Sequence, residues 1–197
     1  MTPAPLAPID RATCKLELRR CRNYLQERFS DATLDESVFD RVLANDDLLY
    51  VHFPQIGCVG LLTERGARRI CWLPTPMSLD TYLWAYYRGF ALDQTNVLAI
   101  TAVRDHGATL RVLTAGLRGS TVYREIDPLL ARLPLALHLG WDPCWYLLNP
   151  LRAVDTMGGA FVFEVNPRPP RPEDDAAVCH RWPAVGTDHT IPSPFAR

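Results

Sequence analysis

The chain has 197 residues, of which 48% are hydrophobic and 22% charged, with a formal net charge of -1 at pH 7. This composition supports one packed domain and excludes wholesale disorder. The near-zero charge argues against general electrostatic binding of nucleic acid or of an anionic membrane. No apolar run approaches the roughly 18–20 residues that span a bilayer, and the N-terminus shows neither a signal peptide nor a myristoylation glycine. We therefore expect an intracellular protein, in the cytoplasm or the nucleus, that is neither secreted nor membrane-spanning.

The N-terminal third predicts two helices. Residues 1–8 are Pro-rich and predict a flexible leader. Apolar side chains then recur at helical spacing, which predicts an amphipathic helix over residues 9–29. A similar spacing from Leu34 to Val42 predicts a second helix that ends near Asn45.

The pattern then changes to short apolar runs that predict an antiparallel sheet. Residues 48–53, 56–62 and 69–73 predict three strands, the last two joined by a tight turn. Ser78 can cap a helix that covers residues 79–87, and Gly89 is placed to end it.

The second half of the chain predicts further strands and helices. We expect strands at 96–103, 109–114 and 159–165, with the first two forming a hairpin, a helix at 127–133, and a packed irregular segment at 141–150. The sum is an α+β fold: a single domain over residues 9–165, with two N-terminal helices followed by a mainly antiparallel sheet with interspersed helices. Residues 166–197 are Pro-rich and without apolar periodicity, which predicts a disordered tail.

No motif with catalytic spacing stands out in this sequence. Cys58 lies between two glycines, and His52, His106 or His138 could supply a base, so a cysteine-dependent hydrolase is one alternative. However, the segment leads from one predicted strand to another, whereas a nucleophile elbow joins a strand to a helix. We therefore expect a buried strand cysteine and no enzyme.

Metal and cofactor sites are not expected either. The histidines are dispersed and lack the short spacings of zinc ligands. Cys179, His180 and His189 are closer together, but they fall in the predicted tail. The glycine-rich motifs that hold phosphates are also absent. We expect no bound cofactor, and the oligomeric state stays open.

The helix at 79–87 is the most informative functional feature. We expect Leu79, Tyr82, Leu83 and Tyr86 to seat this helix on the sheet, since they share one stripe. The candidate protein-binding residues are then Trp84, Tyr87 and Arg88, with the Arg88 guanidinium stacked on the Trp84 indole. Tyr, Trp and Arg are the residue types that dominate binding energy at protein interfaces. The alternative is that these aromatics belong to the core.

The order of features over residues 48–92 resembles a known family. An apolar strand is followed by Gly60-Leu-Leu-Thr-Glu-Arg-Gly66, then by Ile70-Cys-Trp-Leu-Pro74, then by a helix that starts at Ser78 and closes with Arg88-Gly-Phe90. This order is similar to the core of the SUKH superfamily, in particular the tegument and early proteins of its large-DNA-virus branch. Herpesviral members usually carry two such modules, whereas this chain has room for one.

The resemblance implies a protein-binding scaffold without catalysis. Viral members of the family bind host factors and weaken antiviral or cell-death signalling. Bacterial members neutralise toxins as immunity proteins. The expected partner is therefore a host protein, with a cognate toxin as the alternative, and neither nucleic acid nor a membrane is expected as a partner.

Overall fold

The structure is a computed structural model, and it describes residues 4–28, 36–53, 58–66, 69–74, 77–92, 96–116, 126–139, 141–166 and 178–181. These residues divide into two compact units, one up to Ser78 and one from Leu79 onward. The division falls inside the range 9–165, for which the sequence pattern predicts a single domain. Both units combine helices with a mainly antiparallel sheet, so the predicted α+β class is confirmed.

The first unit is a helix on an antiparallel sheet. Helix α1 (Lys15–Arg28) follows a 3-10 turn at Arg11–Cys14, which begins where the Asp10 carboxylate accepts a hydrogen bond from Ala12 N at 3.0 Å. The five strands pair in chain order, each with the next: β1 (Ala7–Pro8), β2 (Arg41–Ala44), β3 (Leu48–His52), β4 (Cys58–Glu64) and β5 (Ile70–Pro74).

One face of helix α1 forms the core of this unit with the sheet. Cys14, Leu18, Cys21 and Leu25 recur at helical spacing and are all fully buried. They cluster with Phe39 and with the inward-facing side chains of β2, β3 and β4. The helix predicted at 9–29 is therefore confirmed over residues 11–28, and these four residues of its predicted apolar stripe are buried, while Phe29 lies outside the described residues.

The predicted second helix is wrong. Within the span from Leu34 to Asn45, the described residues form a single 3-10 turn at Glu36–Val38 and then strand β2. Val42 and Ala44 are buried while Arg41 is exposed, so the apolar period is two. Backbone pairing of β2 with β3 decides in favour of the strand.

Within its described residues, the second unit contains a four-stranded sheet and four helices. In chain order these are α2 (Leu79–Tyr87), β6 (Asn96–Val103), α3 (His106–Gly116), α4 (Ile126–Leu130), β7 (Leu135–Leu139), α5 (Trp141–Thr156), β8 (Phe161–Val165) and β9 (Val178–Arg181). The sheet order is β8-β6-β7-β9, and all pairs are antiparallel except β7 with β9. Strand β9 lies in the predicted tail, the remainder of which after Asn166 is outside the described residues.

Two predictions in this unit are wrong because a helix replaces them. Residues 109–114 form no hairpin strand but lie within α3. Asp105 acts there as a helix cap, since its carboxylate accepts a hydrogen bond from Ala108 N at 2.9 Å. Likewise, residues 141–150 belong to α5, which continues through Pro150. Leu147, Leu151 and Val154 are buried at helical spacing, and this burial favours the helix despite the proline.

The core of the first unit generates a stability prediction. Leu18 is fully buried, whereas Leu16, two residues earlier on the same helix, is 58% exposed. We expect Leu18→Ala to lower the free energy of unfolding by about 2–5 kcal/mol, because it leaves a cavity in the core. The matched control Leu16→Ala is expected to change it by less than about 0.5 kcal/mol. Urea denaturation measures both, and equal losses would contradict the assignment of this core face.

Candidate functional site

Helix α2 ends at a glycine, as the sequence predicts. Gly89 has φ +97°, a conformation that side chains with a Cβ rarely adopt. The N–H of Phe90 donates to the carbonyl of Ala85 at 2.9 Å, and that of Gly89 donates to the carbonyl of Tyr86 at 3.0 Å. This pair of bonds is a Schellman motif, which satisfies the last carbonyls of the helix. The helix therefore stops at Tyr87, directly before Arg88, and its last turn is firmly defined.

The side chains of Asn96 and Asn166 hold the segment that follows α2 by hydrogen bonds. Asn96 is fully buried; its side chain accepts from Ala91 N at 2.7 Å and donates to Ala91 O at 2.9 Å. Asn166 donates to Asn96 Oδ1 at 2.8 Å and to Gly89 O at 2.9 Å. A buried amide whose hydrogen bonds are satisfied in this way, as that of Asn96 is, fixes local geometry. No motif in the sequence marks either asparagine, and Asn166 falls at the start of the predicted tail.

The buried face of α2 differs from the predicted one. Thr81, Tyr82 and Ala85 are buried, whereas Leu83 and Tyr86 are only half-buried. Of the predicted apolar stripe, Tyr82 alone is fully buried, and Leu79 is half-buried. The face is shifted because α2 packs against α5 through polar as well as apolar groups.

The first contact between α2 and α5 is a hydrogen-bonded threonine. The Thr81 hydroxyl donates to Asn149 Oδ1 at 2.8 Å and accepts from Arg152 Nη1 at 3.2 Å. A hydroxyl buried between helices needs such partners, since leaving it unpaired costs about 1–3 kcal/mol. The pair Asn149 and Arg152 spans one turn of α5, and so fixes the rotation of that helix against α2.

The second contact centres on the Asp155 carboxylate near the end of α5. Trp84 Nε1 donates to Asp155 Oδ2 at 3.0 Å, and Arg88 Nε lies 3.3 Å from Asp155 Oδ1. Both carboxylate oxygens are thus engaged by α2. The Arg88 Nε atom is itself buried and has no hydrogen bond of good geometry in the described structure, which makes the ion pair its compensation.

Arg88 makes two further contacts, both with strand β8. Its guanidinium carbon lies 4.9 Å from the centroid of the Phe163 ring, and its Nη2 donates to Phe163 O at 3.1 Å. The cation-π partner is therefore Phe163, and the predicted stacking of Arg88 on Trp84 is wrong. The Trp84 ring instead lies 5.9 Å from the ring of Phe90, tilted by 44°.

The three predicted binding residues thus fall in one region of the second unit, with different contacts. Trp84, Tyr87 and Arg88 are all half-buried. Asp155 brings Trp84 and Arg88 together, whereas Tyr87 packs edge-to-face on Tyr86 with ring centroids 5.3 Å apart. Neither of the alternatives raised by the sequence, a fully exposed cluster or a core cluster, describes this arrangement. The three side chains pack against other residues of the second unit, and part of the surface of each stays exposed to solvent.

The catalytic alternative rests on Cys58, which is the first residue of strand β4 and whose side chain is outside the described residues. A strand start is not the strand-to-helix turn of a nucleophile elbow. Two of the candidate bases are paired with acids on the surface: His52 with Asp40, and His106 with Asp127 at 2.6 Å. The side chains of His138, His180 and His189 are outside the described residues.

Among the described residues, no group of three or more His, Cys, Asp or Glu side chains is arranged to hold a metal ion. Within the same part of the chain, no helix combines the length and apolar character needed to cross a bilayer. Comparison with known protein families, curated proteins and solved structures finds no match for this chain.

The buried cysteines of α1 generate a reactivity prediction. Burial, with a smaller contribution from the charge of Glu17, raises the pKa of the Cys21 thiol to about 12 and also raises that of Cys14. Both thiols therefore stay protonated at pH 7, and the thiolate is the reactive species. We expect iodoacetamide to label neither residue in the folded protein and to label both in urea, as measured by peptide mass spectrometry.

Labelling of Cys14 or Cys21 under native conditions would contradict their burial in this core. The same experiment reports on Cys58 as an independent residue. Rapid, selective alkylation of Cys58 with a lowered apparent pKa would favour the cysteine-dependent alternative over a binding function.

Proposed function

We propose that this chain is a non-enzymatic protein-interaction module, and that it binds its partner through the α2 surface, defined here as the solvent-facing parts of Trp84, Tyr87 and Arg88. The observation that carries the proposal is the joint engagement of Trp84 and Arg88 by Asp155. Through it, two side chains typical of interface hot spots are held in place before any partner arrives.

Pre-ordering matters because binding normally costs free energy to immobilise side chains. A flexible interface side chain loses roughly 0.5–1.5 kcal/mol when it is fixed in a complex. The Trp84 indole and the Arg88 guanidinium already have defined orientations, set by Asp155 and Phe163. Their contribution to that cost on association is therefore small.

An exposed apolar residue follows Asp155 along the chain. Met157, two residues after Asp155, is 79% exposed, the highest value among the large hydrophobic side chains whose exposure is described. Methionine is flexible and polarisable, which suits it to surfaces that adapt to a partner.

We infer the class of partner from the family resemblance of residues 48–92. The formal net charge of -1 also argues against nucleic acid and anionic membranes as partners. The large-DNA-virus branch of the SUKH superfamily favours a host signalling protein as the partner, inside the cell. A bacterial toxin neutralised by this chain is the alternative from the same superfamily. Both are proteins, so the α2 surface would serve either.

The proposal predicts a loss of binding without a loss of folding. We expect Tyr87→Ala and Trp84→Ala each to weaken partner binding roughly thirtyfold, equivalent to about 2 kcal/mol. The thermal midpoint should fall by less than it does for a core truncation such as Leu18→Ala. The experiment is quantitative affinity capture from host-cell lysate with each variant, followed by titration of the captured protein.

Tyr24→Ala provides the matched control, since Tyr24 is also half-buried but lies on α1 in the other unit. Capture of a host signalling protein that is lost with Tyr87→Ala and kept with Tyr24→Ala supports the proposal. Capture of a toxin encoded beside the gene, with the same dependence, supports the immunity alternative. Binding unaffected by Tyr87→Ala and Trp84→Ala, or a collapse of folding in both, would place the binding face elsewhere.

A further inference from the structure

A cleft opens next to the α2 surface within the second unit. It has a volume of about 160 Å³ and is lined by Arg88, Arg104 and Asp155, and by apolar groups that include Phe161 and Val162. A single water needs only roughly 10–15 Å³ by the same measure. The cleft therefore has room for a group the size of a small side chain.

The charges of this cleft do not cancel. Arg88 is offset by Asp155 through the ion pair at 3.3 Å. Arg104 is exposed, and no side-chain hydrogen bond or ion pair joins it to any other residue in the described ranges. The lining thus carries one positive charge in excess, which favours a ligand with one negative charge.

Backbone contacts hold Arg104 at the cleft. The N–H groups of Arg104 and Asp105 both donate to Ala160 O, at 2.7 and 2.9 Å. The Thr109 hydroxyl donates to Asp105 O at 2.6 Å, which closes the first turn of α3. Two backbone donors on one carbonyl fix the start of α3 against the segment that joins α5 to β8. The Arg104 side chain therefore starts from a defined position, although its end is free to turn toward a ligand.

The apolar residues of the cleft lining indicate which kind of anion fits it. Val162 is 36% exposed, and Phe161 and Phe163 form much of the wall from β8. A phosphate group has no apolar part to bury there and carries close to two charges. A carboxylate on a short methylene stem has one charge for the guanidinium and apolar carbon for the wall.

We propose that this cleft is a carboxylate-binding pocket, in which Arg104 pairs with an acidic side chain while the methylene stem packs on β8. The inference rests on the proposed function in one respect, namely that the carboxylate comes from a glutamate or aspartate of the partner protein. The pocket would make the α2 surface selective for partners that carry an acidic residue. This residue would bind Arg104 while other residues of the partner contact Trp84 and Tyr87.

The pocket itself can be tested without the partner. Butyrate mimics a glutamate side chain, butyramide is its uncharged counterpart, and inorganic phosphate supplies an anion without a stem. The readout is the backbone amide signals of Gly158 and Gly159, which line the cleft, in nitrogen-15 NMR titrations of the full chain. We expect saturable shifts with butyrate, weaker shifts with phosphate, and none with butyramide.

Arg104→Gln should reduce the apparent affinity for butyrate by roughly tenfold, as expected when a charge-assisted contact is lost. Arg132→Gln is the control, since Arg132 is an exposed arginine of the same unit outside the cleft. Equal shifts with butyramide, affinity unchanged by Arg104→Gln, or no butyrate shift at tens of millimolar would each overturn the proposal.

The source of the carboxylate is tested with the captured partner. Weaker partner binding with Arg104→Gln, but not with Arg132→Gln, supports an acidic side chain of the partner. If Tyr87→Ala abolishes partner binding while Arg104→Gln leaves it unchanged, the proposed function stands and this inference fails. If butyrate binding depends on Arg104 but no partner binding depends on Tyr87, the pocket stands as a site for a free carboxylic acid and the proposed function fails.

Discussion

The arrangement of the candidate site depends on one carboxylate, that of Asp155. Its two oxygens engage Trp84 Nε1 on α2 and Arg88 Nε directly after α2, and these two residues are four positions apart. Without it, the buried Arg88 Nε would keep its desolvation cost and lose its compensating charge. The carboxylate is 32% exposed, so the ion pair alone contributes little to stability. Its main effect is on geometry, because it sets the orientation of the Trp84 and Arg88 side chains together. The charged groups of Asp155 and Arg88 also line the neighbouring cleft.

Trp84 and Arg88 therefore make contacts inside the second unit and also keep part of their surface exposed to solvent. Thr81 and Asn149 fix the start of the α2–α5 contact, and Asp155 fixes its end. The Gly89 motif ends α2 directly before Arg88. A side chain held in this way loses little entropy when a partner binds. Half-burial is consistent with this double use, since complete burial would remove the surface and complete exposure would leave the side chains disordered. Arg104 lines the neighbouring cleft and carries the positive charge that the other charged groups of that lining, Arg88 and Asp155, do not neutralise.

Local patterns were enough for some of the fold but not for the site. Helix α1, strand β3, helix α2 and its glycine stop follow from apolar period and capping chemistry. The sequence predicts a helix where strand β2 lies, because Val38 and Val42 fit a helical spacing. Only the pairing of β2 with β3 shows that this segment is a strand. Helices α3 and α5 were missed because a capping aspartate resembles a turn and Pro150 resembles a break. The partners of Trp84 and Arg88 lie 71 and 75 residues away along the chain, so no local pattern could find them.

The most direct test of this account is hydrogen exchange at the Trp84 indole N–H, followed by nitrogen-15 NMR in Asp155→Ala and in the control Glu164→Ala. Glu164 is an exposed acid on β8. If Asp155 orders the α2 surface, its removal should speed exchange of this proton roughly tenfold or more, as expected for loss of a protecting hydrogen bond. The control should leave the exchange rate unchanged. An indole proton that exchanges equally fast in the unmodified protein and in Asp155→Ala would contradict the claim that this carboxylate organises the site.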